Sequence, residues 1–112
     1  MKYAIQIHCA KDQSQSMASA QQFIKAALAE GHEIVRVFFY HEGVYQGFGA
    51  ETYWSALARQ HGLDLVLCGS AAERRGMHPS APVCLAEGFR IGGLGQWVEA
   101  VLKADRTLVF GG

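Results

Sequence analysis

The sequence predicts an α/β protein with a single domain, built on an open, mostly parallel five-stranded sheet with helices on both faces. Short runs rich in β-branched and aromatic residues alternate with segments whose apolar residues recur every three or four positions, which is the pattern of strand–helix–strand units. The chain has 112 residues, half of them hydrophobic, so it can bury a core. No linker or internal repeat divides residues 1–112, which indicates one domain.

The first half of the chain predicts two strands and two helices. Residues 3–8 (YAIQIH) are expected to form the first strand. Apolar residues at helical spacing predict a helix over 14–30, which ends at Gly31. Residues 33–40, dense in β-branched and aromatic side chains, predict a largely buried second strand. A Gly-rich loop over 42–49 and a helix over 51–61 follow.

The second half repeats the alternation. The predicted elements are a strand over 63–67 followed by Cys68, a short helical turn over 71–75 stopped by Gly76, Pro79 and Pro82, a weak strand over 89–91, a helix over 96–104 and a final strand over 107–110. Five strands in this length suggest a flavodoxin-like sheet, in which reactive groups collect at the carboxyl ends of the strands. Cys9, His41 and Cys68 all follow predicted strands, so we expect them at that edge.

Composition excludes several classes of protein. Ten Lys and Arg balance ten Asp and Glu, which argues against direct nucleic-acid binding because that affinity comes mainly from cationic side chains. The three cysteines cannot all pair and include no C-x-x-C, which disfavours both a disulfide scaffold and a zinc site. No apolar run approaches membrane-spanning length. We therefore expect a cytoplasmic protein in a reducing compartment, with no metal and no membrane contact.

Cys68 is the main candidate for chemistry. It stands between a buried strand and a helical segment, where free backbone N–H groups favour a thiolate. Gly69 and Ser70 would let a sulfur-bearing ligand approach the backbone, and Arg74 and Arg75 would add positive potential. The alternative is that Cys68 is a small buried hydrophobic residue.

Other residues support weaker interpretations. Cys9 is either a second thiol at the same edge or an unpaired loop cysteine, and Cys84 could resolve a sulfenate on Cys68 in a redox pair. His41 and Glu42 suit acid–base chemistry or a contact surface. A phosphate-binding role for residues 92–95 is weaker than a tight turn, because no Lys-Ser/Thr follows the glycines. Exposed aromatic residues are expected in the loop over 42–49, where they would favour an oligomer interface.

Four segments resemble the DsrE/TusD sulfur-relay family, in order along nearly the whole chain. They are residues 37–45 (VFFYHEGVY), 60–63 (QHGL), 68–76 (CGSAAERRG) and 88–95 (GFRIGGLG). The most specific is the cysteine separated by five residues from Arg-Arg-Gly, joined to the FFYxEGVY motif. The stretch between Tyr45 and the second helix is shorter than in that family.

The resemblance implies a sulfurtransferase in which Cys68 accepts sulfane sulfur as a persulfide and passes it on without a cofactor. It also implies a hetero-oligomer with TusB-like and TusC-like subunits, a TusA-like sulfur donor and a TusE-like acceptor. The TusD branch serves 2-thiouridine synthesis at tRNA wobble positions, and the DsrE branch serves sulfur oxidation. Two further hypotheses stay open: a non-catalytic assembly subunit with a buried Cys68, and a thiol redox sensor that uses Cys68 and Cys84.

Overall fold

The computed structural model describes residues 1–10, 14–49, 52–77 and 85–111. Its strands are β1 (Lys2–Ile7), β2 (Glu33–Phe39), β3 (Leu65–Cys68), β4 (Phe89–Gly92) and β5 (Arg106–Phe110). Its helices are α1 (Ser14–Ala29), α2 (Tyr53–His61), α3 (Gly69–Arg74) and α4 (Leu94–Lys103). The strands form one sheet in the order β4-β3-β2-β1-β5, and each pairing between neighbouring strands is parallel.

The direction in which the chain crosses the sheet decides where each helix lies. From β1 to β4 every crossover moves one strand in the same direction, whereas the crossover from β4 to β5 runs back. Because such crossovers are right-handed, the reversal moves α4 to the other face. Trp54 of α2 packs against Phe39 with ring centroids 5.2 Å apart, and Trp97 of α4 stacks on Phe38 at 5.9 Å. Since consecutive strand residues point to opposite faces, helices cover both faces as predicted.

The strand order differs from the flavodoxin order. In flavodoxin-like sheets the order is 2-1-3-4-5, whereas here β2 lies between β1 and β3 and β5 lies beyond β1. The number and alternation of strands predict the parallel five-stranded sheet, which the structure confirms. The number and alternation of strands do not predict which strands are neighbours in the sheet.

An ion-pair network fixes α4 to the sheet. The half-buried Asp64, just before β3, accepts hydrogen bonds from Arg36 Nε at 2.7 Å and Arg90 Nε at 2.9 Å. Arg36 Nη1 also donates to the Gln96 carbonyl at 2.7 Å and to Glu99 at 3.0 Å, both on α4. The hydrogen bonds from Arg90, then those from Arg36, lower the pKa of Asp64 against the opposing effect of burial. The flank of α4 that carries Glu99 is thereby held towards Arg36 of β2.

The segment after β2 is not the open loop expected over 42–49. It is a 3₁₀ helix, His41–Gly47, packed over the sheet. A side chain at Gly43 would collide with the carbonyl oxygen of Ile7, so glycine allows this close approach. Val44 and Phe48 are buried, whereas Tyr45 is exposed. The prediction of exposed aromatic residues in this segment is therefore confirmed for Tyr45 and wrong for Phe48, whose side chain turns into the core.

The remaining elements differ from their predicted bounds by only a few residues. Thr52 caps α2 through a reciprocal pair of hydrogen bonds with Ser55, and Gly62 ends the helix in the left-handed conformation with φ +68°. The helix after Cys68 begins at Gly69, two residues earlier than predicted. The predicted stop at Pro79 and Pro82 lies outside the described residues. None of the described helices is long and apolar enough to cross a membrane.

Candidate active site

Cys68 is the last residue of β3 and the N-cap residue of α3, as its position in the sequence predicted. The four residues of β3 are all buried, and Cys68 is 1% exposed. Its Sγ lies 3.4 Å from the hydroxyl oxygen of Ser70, in the first turn of α3. The structure thus places a thiol at the carboxyl edge of the sheet, with a hydroxyl group beside it.

The registers of the neighbouring strands put Cys68 in a row of residues on the α4 side of the sheet. Cys68 pairs with Gly92 of β4. The last paired residues of β2 and β3 are Phe39 and Leu67, so the residues that come next, Tyr40 and Cys68, lie beside each other. His8 follows the paired residues of β1 and β2, and its ring lies 6.0 Å from that of Tyr40. Gly92, Cys68, Tyr40 and His8 are therefore side by side along the carboxyl edge of the sheet.

Two histidines, His8 and His41, lie in contact at the β1 end of this row. The sequence did not predict this pair. The ring centroids of His8 and His41 are 4.7 Å apart, and His41 stacks on Tyr40 at 4.2 Å. His8 Nε2 also contacts the side-chain oxygen of Gln6. Burial, and then the neighbouring His41, lower the pKa of His8. The spacing of these residues along the chain gives no sign of the pair, because adjacent parallel strands bring them together.

The residues predicted to support Cys68 differ in their position relative to its sulfur. A side chain at Gly69 would meet Ile91 Cγ2 at 2.9 Å, so this glycine has a packing role between α3 and β4. Arg74 is exposed at the carboxyl end of α3, and Arg75 turns back to donate to the Ala71 carbonyl at 3.0 Å. Ser70 contacts the sulfur directly. The functional roles of Gly69, Arg74 and Arg75 stay predictions.

Cys9 is held in a buried hydrogen-bond network. Gln46 donates to the Cys9 carbonyl at 2.5 Å and lies 3.7 Å from its sulfur, while Trp54 donates to the Gln46 side-chain oxygen at 2.5 Å. Desolvation raises the pKa of the Cys9 thiol, which is fully buried. These contacts favour a structural role for Cys9. Cys84 lies outside the described residues, so its predicted pairing with Cys68 stays a prediction.

Gln46 has a structural role that the sequence did not predict. It is buried in the 3₁₀ helix and joins α2 to the loop after β1 through hydrogen bonds with Trp54 and Cys9. Its only sequence signal is a polar residue inside the apolar run GVYQGF. Among the described residues, no group of three or more His, Cys, Asp or Glu side chains could hold a metal ion.

The fold and the edge thiol define a class of small α/β proteins with a cysteine at the carboxyl end of an interior parallel strand. The model of the DsrE/DsrF-like family matches residues 1–110, and the chain belongs to this family. It is 44% identical to a protein named putative sulfurtransferase DsrE from Allochromatium vinosum, over 99% of both chains. It is 39% identical to sulfurtransferase TusD from Salmonella newport, over 98% of this chain and 100% of that one.

A solved structure agrees with the fold. The crystal structure of the YchN protein from E. coli matches 98% of this chain and 99% of its own with a TM-score of 0.77, at 21% identity. The alignments to the DsrE and TusD proteins extend over 129 and 130 positions, more than the 112 residues present here. These relatives therefore contain residues that have no counterpart in this chain.

Proposed function

We propose that this protein is a sulfurtransferase in which Cys68 accepts sulfane sulfur as a persulfide and passes it to a protein acceptor. The observation that carries the proposal is the position of Cys68, at the junction of β3 and α3 with the Ser70 hydroxyl 3.4 Å from its sulfur. The names of the DsrE and TusD relatives support the activity.

The chemistry is an exchange between two thiols and one sulfane sulfur. The Cys68 thiolate attacks the outer sulfur of the donor persulfide, a new S–S bond forms on Cys68, and the S–S bond of the donor breaks. The electron pair of the broken bond leaves on the donor thiolate, which takes up the proton that Cys68 has lost. No oxidant or reductant is consumed. Passing the sulfur onward repeats the same step with Cys68 as the leaving group.

The residues around Cys68 would act on the sulfur anion. A hydrogen bond donated by Ser70 stabilises the thiolate before attack and again when Cys68 leaves. The Cys68 side chain accepts no capping hydrogen bond from α3, so the first turn of this short helix would add only through its dipole. Arg74 and Arg75 would supply longer-range positive potential that draws in an anionic persulfide.

The partners and pathway follow from the family resemblance. A TusA-like protein would donate the sulfur and a TusE-like protein would accept it, with TusB-like and TusC-like subunits in the same complex. The balanced charge of the chain favours contact with proteins and argues against direct contact with tRNA. We propose tRNA wobble thiolation, in the cytoplasm, as the destination of the sulfur. Sulfur oxidation is the alternative, which the 44% identity to the DsrE protein favours.

The test is sulfur loading followed by intact-mass measurement. The protein is incubated with a cysteine desulfurase, cysteine and a TusA-like carrier, and its mass is measured before and after reduction. Wild type and Cys84→Ser are expected to gain one sulfur atom that reductant removes, whereas Cys68→Ser gains none. A Cys68→Ser protein that loads as well as wild type would refute the assignment.

The burial of Cys68 favours a second candidate, a non-catalytic assembly subunit. In the single chain Cys68 is 1% exposed, which suits a packing role as well as a protected thiol. The two candidates differ in the accessibility of the sulfur. Rapid alkylation of Cys68 in the native protein, faster than global unfolding, supports the sulfurtransferase, and alkylation at the unfolding rate supports the assembly subunit.

A further inference from the structure

Tyr40 stands beside Cys68 at the carboxyl edge, and its side chain lies on the same face of the sheet. Tyr40 keeps the extended backbone of β2, with φ −133° and ψ 165°, so the alternation of side chains continues through it. Its ring lies 6.0 Å from that of Phe38, which itself stacks on Trp97 of α4. Because neighbouring parallel strands are about 4.8 Å apart, the phenol and the thiol are side-chain neighbours on the α4 face.

Three rings hold the side chain of Tyr40 in place and leave its hydroxyl unpaired. The Tyr40 ring stacks on that of His41, with centroids 4.2 Å apart, and lies 6.0 Å from the rings of Phe38 and His8. It is half-buried against the core. Among the described residues the Tyr40 hydroxyl has no hydrogen-bond partner. This donor is therefore available to a group that reaches the carboxyl edge.

The backbone of His41 is a second, independent sign of function at this place. Among the described residues, His41 is the only one other than glycine with a positive φ, at +50°. Residues with side chains rarely adopt this conformation, and those held in it cluster at functional sites. In this conformation the imidazole of His41 lies stacked on Tyr40. The strained residue is thus the one that fixes the phenol beside Cys68.

A persulfide on Cys68 carries a second sulfur atom about 2 Å beyond Sγ, and this outer sulfur needs a hydrogen-bond donor of its own. Towards β4 the space is filled, because a side chain at Gly92 would meet Val66 Cγ1 at 2.7 Å and Gln96 Oε1 at 3.1 Å. An amide oxygen accepts hydrogen bonds and cannot stabilise a sulfur anion. Towards β2 the neighbour is Tyr40, whose hydroxyl is a donor.

We propose that the Tyr40 hydroxyl donates a hydrogen bond to the outer sulfur of the persulfide on Cys68, and that His41 positions Tyr40 for this contact. This role rests on the proposed function and adds the group that holds the transferred atom. When the Cys68 thiolate attacks the donor persulfide, the outer sulfur becomes bonded to Sγ, and the electron pair of the old S–S bond leaves on the donor thiolate. The phenol keeps its proton throughout. Its hydrogen bond to the sulfur anion favours the loaded state.

The test measures the equilibrium of Cys68 with glutathione persulfide and glutathione mixed at set ratios. After alkylation, mass spectrometry of the peptide containing Cys68 gives the fraction that carries an additional sulfur. Tyr40→Phe keeps the ring and its stacking and removes only the hydroxyl. Its equilibrium constant for loading is expected to fall roughly tenfold or more, as for loss of a hydrogen bond to a charged group. Tyr45→Phe, at the exposed tyrosine of the 3₁₀ helix, is the matched control and should load as wild type does.

A double-mutant cycle tests the positioning role of His41. His41→Asn removes the imidazole and keeps a residue that tolerates the left-handed backbone. With Tyr40 present, it is expected to lower the loading constant by roughly threefold or more, since the two rings are in contact. In the Tyr40→Phe background it should change the constant by less than about twofold, because no hydroxyl is left to position. Equal losses in both backgrounds would overturn the positioning role.

Two contrary results have different meanings. A wild-type chain in which Cys68 gains no sulfur at any ratio would refute the sulfurtransferase, and the role of Tyr40 with it. A wild-type chain that loads, beside a Tyr40→Phe variant that loads to the same extent, would overturn the role of Tyr40 and leave the sulfurtransferase intact. Thermal unfolding followed by circular dichroism shows that the variants compared are folded.

Discussion

The reactivity expected of Cys68 depends on the elements that come directly before and after it in the chain. Before it, the buried strand β3 fixes the backbone; after it, the first turn of α3 brings Ser70 to the sulfur. The sequence predicted that Cys68 lies at the end of a strand and that Ser70 lies close to it in the site. It could not predict the hydrogen bond, because the direction of the hydroxyl is set when α3 begins at Gly69.

Removing the Ser70 hydroxyl should slow persulfide formation on Cys68. Ser70→Ala is expected to reduce the rate roughly ten- to hundredfold, since a hydrogen bond to a charged group contributes about 1.5–3 kcal/mol. Ser70→Thr keeps the hydroxyl and should restore most of the rate. Single-turnover loading from a persulfidated donor measures this rate.

Ser19→Ala, at an exposed position of α1, serves as the matched control and should load as wild type does. If Ser70→Ala loads at the wild-type rate while its thermal stability is unchanged, Ser70 has no part in the chemistry. Equal losses in Ser70→Ala and Ser70→Thr would indicate a packing effect of the side chain.

At the scale of elements, the sequence predicted each helix and strand, and it missed what tertiary contacts decide. The segment after β2 reads as a Gly-rich loop, yet Gly43 lets it approach β1 closely enough to form a buried 3₁₀ helix. Gln46 and the pair of His8 and His41 likewise acquire their contacts only when distant elements meet. Periodicity predicts which residues share a face, whereas partners across the fold depend on strand order.

The ion-pair network under α4 should make stability depend on pH. The folded-state pKa of Asp64 is lowered, so its contribution is present above its ordinary pKa of about 3.9 and is lost as the pH falls through the folded value. Asp64→Asn is expected to lower the free energy of unfolding by about 1–2 kcal/mol at pH 7, allowing for solvent screening of this partly exposed group. Urea denaturation at pH 7 and pH 3 measures the difference.

The difference between wild type and Asp64→Asn should shrink at pH 3. Glu87→Gln is the control, since Glu87 pairs with Arg59 at 3.7 Å between exposed side chains and should change stability by less than about 0.5 kcal/mol. A deficit in Asp64→Asn that is as large at pH 3 as at pH 7 would contradict the role of the Asp64 charge.

At the scale of the whole molecule, the parallel sheet brings the thiol, the histidine pair and the first turn of α3 to one edge. The reversal of the last crossover places α4 alone on the opposite face, where four large hydrophobic residues of the helix are exposed. The motifs in the sequence were sufficient to predict the family and the parallel architecture. The strand order could not be predicted, because helices of similar length can cross one strand or several.

The most direct test of the relay follows one sulfur atom from Cys68 to an acceptor. The protein is loaded with radiolabelled sulfane sulfur, separated from the donor and mixed with a TusE-like acceptor, and the label on each protein is measured over time. Label is expected to leave the peptide containing Cys68 and to appear in equal amount on the acceptor thiol. Label that resides on a peptide containing Cys9 or Cys84, or that stays on Cys68 while the acceptor remains unlabelled, would contradict it.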